Sequence, residues 1–219
     1  MNCDKQIIVV ACSQRKRHGG DTNIRWQRSN SVAKGLSKTP CRLLMKCRHQ
    51  LAEKFGYAPG EDLGGETRTP VPLMLARERY DGNLYRKISG AIWEPLRDSA
   101  NVEVVIVSAL YGLVTPWELI RDYEMAMTEK IETRVRLARW WSQQGLGSIL
   151  VDYAQRADTR IVHDFLGGAY GEVSEAFSCL SSSVRVVRHS FARRYSAADY
   201  YRGWEIERLL EDLLQPDIS

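Results

Sequence analysis

Long apolar runs are missing from this chain. No stretch of 18 or more consecutive apolar residues occurs, so no segment has the length to cross a bilayer as a helix. The short run from Ile7 to Ala11 lacks the length and the small-residue cleavage site of a signal peptide. Cysteine is scarce. Cys3, Cys12, Cys41, Cys47 and Cys179 make an odd count without close pairs, which argues against a disulfide framework and for reduced thiols in a cytoplasmic protein. Cys41 and Cys47 stand too far apart for a CxxC zinc knuckle, so neither a structural metal nor a cofactor is expected. No GxxxxGK[ST] loop is present, which excludes a Walker-type NTPase. HExxH and a Ser-His-Asp order are absent as well. No repeat or linker interrupts the chain, so residues 1–219 read as one domain, long enough to bury a sizeable core.

Apolar residues at 44% and charged residues at 26% are ordinary globular usage. The net charge of +4 is modest, but its distribution is uneven. From Ser13 to Lys54 there are eleven basic residues against two acidic ones, a net of +9, which leaves the rest of the chain at −5. Such asymmetry suits a phosphate-bearing partner, either a nucleic acid or a small molecule; a solvated basic face without a ligand is the alternative.

The apolar runs that do occur are short and branched. Gln6–Ala11 and Val102–Ser108 read as strands buried on both faces, and RIVHD from Arg160 and the run from Val184 to Val187 as two more. Helical spacing predicts helices over Cys41–Phe55, Leu73–Ile88 with a break at Asp81-Gly82, Ala91–Arg97, Thr133–Gln143, Ile149–Ala157, Ala169–Cys179 and Trp204–Leu214. Thr115 and Pro116 suit the cap and first turn of a further helix running through Leu119, Ile120 and Tyr123. Gly56 to Pro72 reads as a long loop. Strands alternating with helices predict an α/β fold, a mixed and mainly parallel sheet flanked by helices, with a basic cleft at the carboxyl ends of the strands.

That cleft should form from three loops: Cys12–Lys16, Ser108–Gly112 and Phe165–Gly168. Backbone amides in the first loop, with Ser13, Arg15 and Lys16, can hold a phosphate. Cys12 has three readings there: part of the anchor, a structural thiol beside surface cations, or a reactive and peroxide-sensing nucleophile. Gly167-Gly168 opens a helix, a second possible anion site, or simply a tight turn. Glu118 is a candidate general base if it points into the cleft; otherwise Glu118 and its neighbours are solvated. From Arg188 to Trp204, arginines including Arg193, Arg194 and Arg202 interleave with aromatics, a pattern that suits nucleic-acid bases and phosphates or the closing of the core. Arg17, Arg25 and Arg28 extend the same basic surface.

One stretch carries a resemblance. Ser108-x-Leu110-Tyr111-Gly112-Leu113-x-x-Pro116-x-x-Leu119-Ile120-x-x-Tyr123-x-x-x-Met127 resembles the signature of the YaaA-like peroxide-stress protein family. Glu78-Arg79-Tyr80-Asp81-Gly82-Asn83-Leu84-Tyr85 is similar to the segment that precedes it in that family, and Cys12-Ser13-x-x-Lys16 to the opening of a shorter branch. The resemblance implies a compact α/β fold with a positively charged cleft, a link to peroxide stress, and binding of DNA. It adds Arg79, Tyr80, Tyr85, Ser108, Tyr111, Gly112 and Tyr123 to the candidate site. The leading expectation is a cytoplasmic protein that binds nucleic acid or nucleotides. An enzyme cleaving or transferring at a glycosidic bond of a nucleotide, and a thiol redox protein using Cys12, are the alternatives.

Overall fold

The computed structural model describes residues 4–191 and 195–215, the side chains of 195–197 excepted. Strand β1 (Gln6–Ala11) is followed by an irregular basic stretch and helix α1 (Lys38–Lys54). A short strand β2 (Leu73–Leu75) leads into three brief helices, α2 (Ala76–Arg79), α3 (Asn83–Lys87) and α4 (Trp93–Asp98). Strands β3 (Val102–Ser108), β4 (Gly112–Val114) and β5 (Leu119–Arg121) come next, then α5 (Leu137–Gln143) and α6 (Leu146–Arg156). Strand β6 (Ile161–Asp164), the single-turn α7 (Gly171–Ser174), strand β7 (Arg185–Arg188) and the long α8 (Tyr195–Leu214) complete the order.

Five strands form one sheet in the order β4-β3-β1-β6-β7. β1 lies at its centre, parallel to β3 with Gln6 opposite Val102 and parallel to β6 with Gln6 opposite Ile161. β7 is parallel to β6, and only β4, which doubles back on β3, is antiparallel. Ile7, Ile8 and Val9 are completely buried, as are Val105, Ile106 and Val107. A continuous branched run has this fate only in a sheet covered on both faces. The helices flank the sheet in two groups, α1 with α5 and α6, and α3 and α4 with α8. Because β1, β3 and β6 run the same way, Cys12, Ala109 and Phe165 all leave the sheet at one edge, its carboxyl edge. Among the described residues, no helix is long and apolar enough to cross a membrane.

The sequence reading needs correcting in several places. Thr115–Tyr123 is not a helix. Gly112–Val114 pairs with β3, and Leu119–Arg121 pairs with Leu73–Leu75 as a separate two-stranded ribbon. Leu119, Ile120 and Tyr123 satisfy a helical spacing, but partners 44 and 46 residues away, Leu75 and Met74, capture the first two. The same pairing turns the start of the expected 73–88 helix into β2. Pro40 does not break α1. It lies in the first helical turn, where a missing N–H leaves no bond unmade. The expected helices over 133–143 and 169–179 are shorter or broken into single turns, and α8 begins well before Trp204.

Candidate functional site

The carboxyl edge gathers a polar cluster into the base of the molecule. The loop after β1 is zipped to the segment after α2: Lys16 and Tyr80 form a β-bridge, the Arg17 amide donates to the Arg79 carbonyl (2.8 Å), and the Asp81 amide to the Arg15 carbonyl (3.0 Å). This pairing turns Lys16 inward, and only 8% of it remains exposed. Its ammonium sits 4.1 Å from the centre of the Tyr123 ring and donates to the Gln14 carbonyl at 3.3 Å. No carboxylate among the described residues lies within ion-pair distance of it. Burial pulls the Lys16 ammonium below its usual range; the carboxylates of Glu124, Asp122 and Glu129 oppose that shift.

Behind Lys16, the hydroxyls of Tyr80, Ser108 and Tyr123 form a closed triangle with every edge at 3.0 Å, and Tyr80 donates to Ser108. Tyr85 donates to the carbonyl of Ala11, the last residue of β1, at 2.8 Å. Cys12 Sγ lies 3.3 Å from the Tyr170 hydroxyl, which arrives from the loop after β6. Burial pushes the phenols of Tyr80, Tyr85, Tyr123 and Tyr170 well up, so all four are neutral hydroxyls at physiological pH. Ser13 faces the Asp81-Gly82 turn so closely that a Cβ at Gly82 would stand 2.3 Å from its Oγ. The three loops after β1, β3 and β6 thus place Cys12, Ser13, Lys16, Ser108 and Tyr170 in one neighbourhood, joined by Tyr80, Tyr85 and Tyr123.

Other candidates have been drawn into the core. Glu118 is 1% exposed and does not face this cluster. Its Oε1 accepts from Arg48 Nη1 (2.7 Å) and Trp26 Nε1 (3.1 Å), and its Oε2 from the Val32 amide (3.1 Å). Buried and bound by three donors away from the cluster, this carboxylate does not reach the cleft, and its general-base role is withdrawn. The Tyr111 hydroxyl donates to Asp62 Oδ2 (2.6 Å) and accepts from the Arg121 amide (3.0 Å), while Arg121 grips both oxygens of Asp62. Tyr111 is completely buried and belongs to this second ion-pair network. Gly112 is there for backbone reasons. Its φ is +71°, and a Cβ would meet Trp141 at 2.8 Å and Leu44 at 2.9 Å. Arg79 is a clasp: its guanidinium donates to the carbonyls of Arg17 and Gly19, the latter at 2.8 Å, and fixes the loop.

The cations divide similarly. Arg15, Arg17 and Arg86 converge on Asp81 at 3.3, 3.8 and 2.7 Å, three guanidiniums around one carboxylate, and they hold the Asp81 carboxyl below its usual range, the Arg86 hydrogen bond foremost. Arg25 and Arg28 are exposed, and Arg28 reaches Cys41 Sγ at 3.2 Å. Arg202 turns toward Gly167, where an added Cβ would meet its Nη2 at 2.7 Å, and covers the Phe191 ring at 5.2 Å. Gly167 and Gly168 form the turn before a short 3-10 segment. Arg193 and Arg194 lie outside the described residues.

A cleft of about 410 Å³ beside this cluster is lined by Tyr80 and Tyr85 and by Arg17, Arg77 and Arg86, with the carboxylates of Glu78 and Asp81 among them. A larger one, about 600 Å³, lies at the opposite edge, around Val102 and Glu103 where β3 begins. Size alone does not select between them. The smaller cleft touches the tyrosine cluster and the guanidiniums around Asp81, whereas the larger is lined by Lys5, Lys34, Arg97 and Arg156 against Glu103 and lies away from the loops after β1, β3 and β6. Sequence reasoning missed Tyr170, Asp81 and Arg86. Asp81 sits inside the Asp-Gly turn, a signal for a bend that says nothing of the arginines it collects.

No curated protein matches the chain. A family model described as peroxide stress protein YaaA matches residues 10–200, which include every element from the end of β1 to the first part of α8. The match extends well beyond the signature around Tyr111, and on that evidence the chain belongs to the peroxide stress protein YaaA family.

Proposed function

We propose that the protein binds a phosphate-bearing ligand, a nucleic acid or a nucleotide, at the carboxyl edge of β1, β3 and β6, as a cytoplasmic component of the response to peroxide. Lys16 carries this reading. A lysine with nine-tenths of its surface buried and no carboxylate partner among the described residues is held at an electrostatic cost that an anionic ligand would offset. Ser13 stands close to it in the same loop. Arg15, Arg17 and Arg86 supply two more positive charges than Asp81 cancels, and Arg17 and Arg86 line a cleft together with Tyr80 and Tyr85. Arg202, beside Gly167, is neutralised by its ion pair with Asp199 at 2.7 Å and adds no net charge.

The test is an anisotropy titration with labelled single- and double-stranded oligonucleotides and with mononucleotides. Lys16→Met should weaken every phosphate ligand by about 1.5–3 kcal/mol, one charge-assisted bond. It should leave stability unchanged or raise it, because burial of the charge is relieved. Binding that is absent at low salt, or indifferent to Lys16→Met, refutes the reading.

A further inference from the structure

We propose that the cavity at the amino edge of the sheet is a second anion site, one that takes a free small phosphate ester with an apolar body. The cavity lies around Lys5, the residue before β1, and Val102, where β3 begins, whereas Lys16 stands at the carboxyl edge. Its volume of about 600 Å³ is in the range of small-molecule pockets, roughly 300–1,000 Å³. Four cations line it, Lys5, Lys34, Arg97 and Arg156, against the single carboxylate of Glu103, a surplus of three positive charges. That carboxylate is already occupied. Its Oε1 pairs with Lys5 Nζ at 2.6 Å, and its Oε2 accepts from the Tyr153 hydroxyl at 2.7 Å. Lys34, Arg97 and Arg156 have no carboxylate within ion-pair distance among the described residues.

These three cations come from the 32–34 turn, α4 and α6, and are 63 and 59 residues apart in sequence. Local charge pattern does not bring them together; the fold does. Two are held in place by the protein itself. The Arg97 guanidinium lies 5.5 Å from the centre of the Trp117 ring. Arg156 Nε donates to the Gly35 carbonyl at 3.2 Å, while its terminal nitrogens bond no other described residue. A guanidinium already fixed at one point loses less freedom when its remaining donors grip an anion. The rest of the wall describes what the anion is attached to. Leu75, Leu96, Pro116 and Trp117 contribute apolar surface that inorganic phosphate alone would leave uncovered. Ser29 and Asn30 add polar groups for hydroxyls on such a body. The volume suits one small molecule rather than a duplex.

The experiment is isothermal titration calorimetry on the full chain with AMP, ribose 5-phosphate and inorganic phosphate, repeated on Lys34→Gln, Arg97→Gln and Lys16→Met. Mutation separates the two edges. Ligand at the amino edge should be weakened about tenfold or more by Lys34→Gln and by Arg97→Gln, one charge-assisted bond each, and should persist in Lys16→Met. Both replaced side chains are exposed, so melting temperatures should not move. At least one ester should bind more tightly than inorganic phosphate, because only an ester covers the apolar wall. Tighter binding of AMP identifies a nucleotide, and tighter binding of ribose 5-phosphate a sugar phosphate; either supports the site. Inorganic phosphate that matches both esters overturns the apolar body. Absence of binding by all three ligands, or binding indifferent to Lys34→Gln and Arg97→Gln, overturns the site. If binding responds to Lys16→Met alone, the ligand sits at the carboxyl edge: the amino-edge site is wrong and the reading above stands. If binding responds to Lys34→Gln and Arg97→Gln while oligonucleotides fail to bind and Lys16→Met changes nothing, the amino-edge site stands and the reading above falls.

Discussion

Replacing Tyr111 by phenylalanine removes one oxygen and tests the central network of the molecule. The hydroxyl donates to Asp62 Oδ2 at 2.6 Å and accepts from the backbone amide of Arg121 at 3.0 Å, in a region closed to water. Asp62 retains two bonds from Arg121, at 2.9 and 2.6 Å, so the carboxylate stays paired. The Arg121 amide loses its bond to the hydroxyl, and one charge-assisted bond disappears. Together these should cost about 2–4 kcal/mol, which for a chain of this length lowers the melting temperature by roughly 5–15 °C. Thermal melts and urea titrations measure it, the latter by a lower midpoint at unchanged slope. A Phe variant within about 0.5 kcal/mol of the wild type, the scale of an ordinary surface change, refutes the argument that the hydroxyl binds the network together. A Phe variant of full stability that no longer binds phosphate ligands would return Tyr111 to the binding site.

Glu118→Gln should leave the Arg48 guanidinium as a buried, unpaired charge and cost about 3–5 kcal/mol in a urea melt; a stable variant would reopen a catalytic role for this carboxylate. Gly112→Ala should cost about 2–4 kcal/mol, from a positive φ and from contact with Trp141 and Leu44, and a neutral result would show that the turn can relax. The His163 imidazole, packed between Gln6 and His189, is pulled down to about 4, by burial first and then by His189 and Arg185. The folded chain therefore stays unprotonated there while the unfolded chain takes up a proton, so stability should fall by up to about 3 kcal/mol as the pH drops from 6.5 toward 4. Melts across that window should show the slope, and His163→Asn should flatten it.

What could be read from the sequence was what local pattern determines. Gln6–Ala11 and Val102–Ser108 are apolar runs that only a doubly covered strand explains, and both have the expected bounds. What could not be read depends on partners distant in sequence. Leu119–Arg121 fits a helix by spacing and becomes a strand because Leu73–Leu75 is beside it. Arg48 looks like one more member of a basic segment, yet it is completely buried against Glu118, 70 residues on. Lys16 was expected to face a cleft, and the bridge to Tyr80, 64 residues on, turns it inward and buries it. In each case the deciding neighbour lies on another element, where local pattern does not reach.

The position of β1 at the centre of the sheet has a consequence for biosynthesis. Its first partner register joins Gln6 to Val102, so 96 residues must be added after Gln6 before that pairing begins, and β6 comes later still. At about 5–20 residues per second, the strand waits roughly 5–20 s on the ribosome with no neighbour. IIVVA carries no charge and no proline, the composition that seeds intermolecular β-pairing while exposed. A nascent chain halted at residue 100 should accordingly be a strong client for holdase chaperones, and one extended past β6 a weak one, because β1 then has both its neighbours.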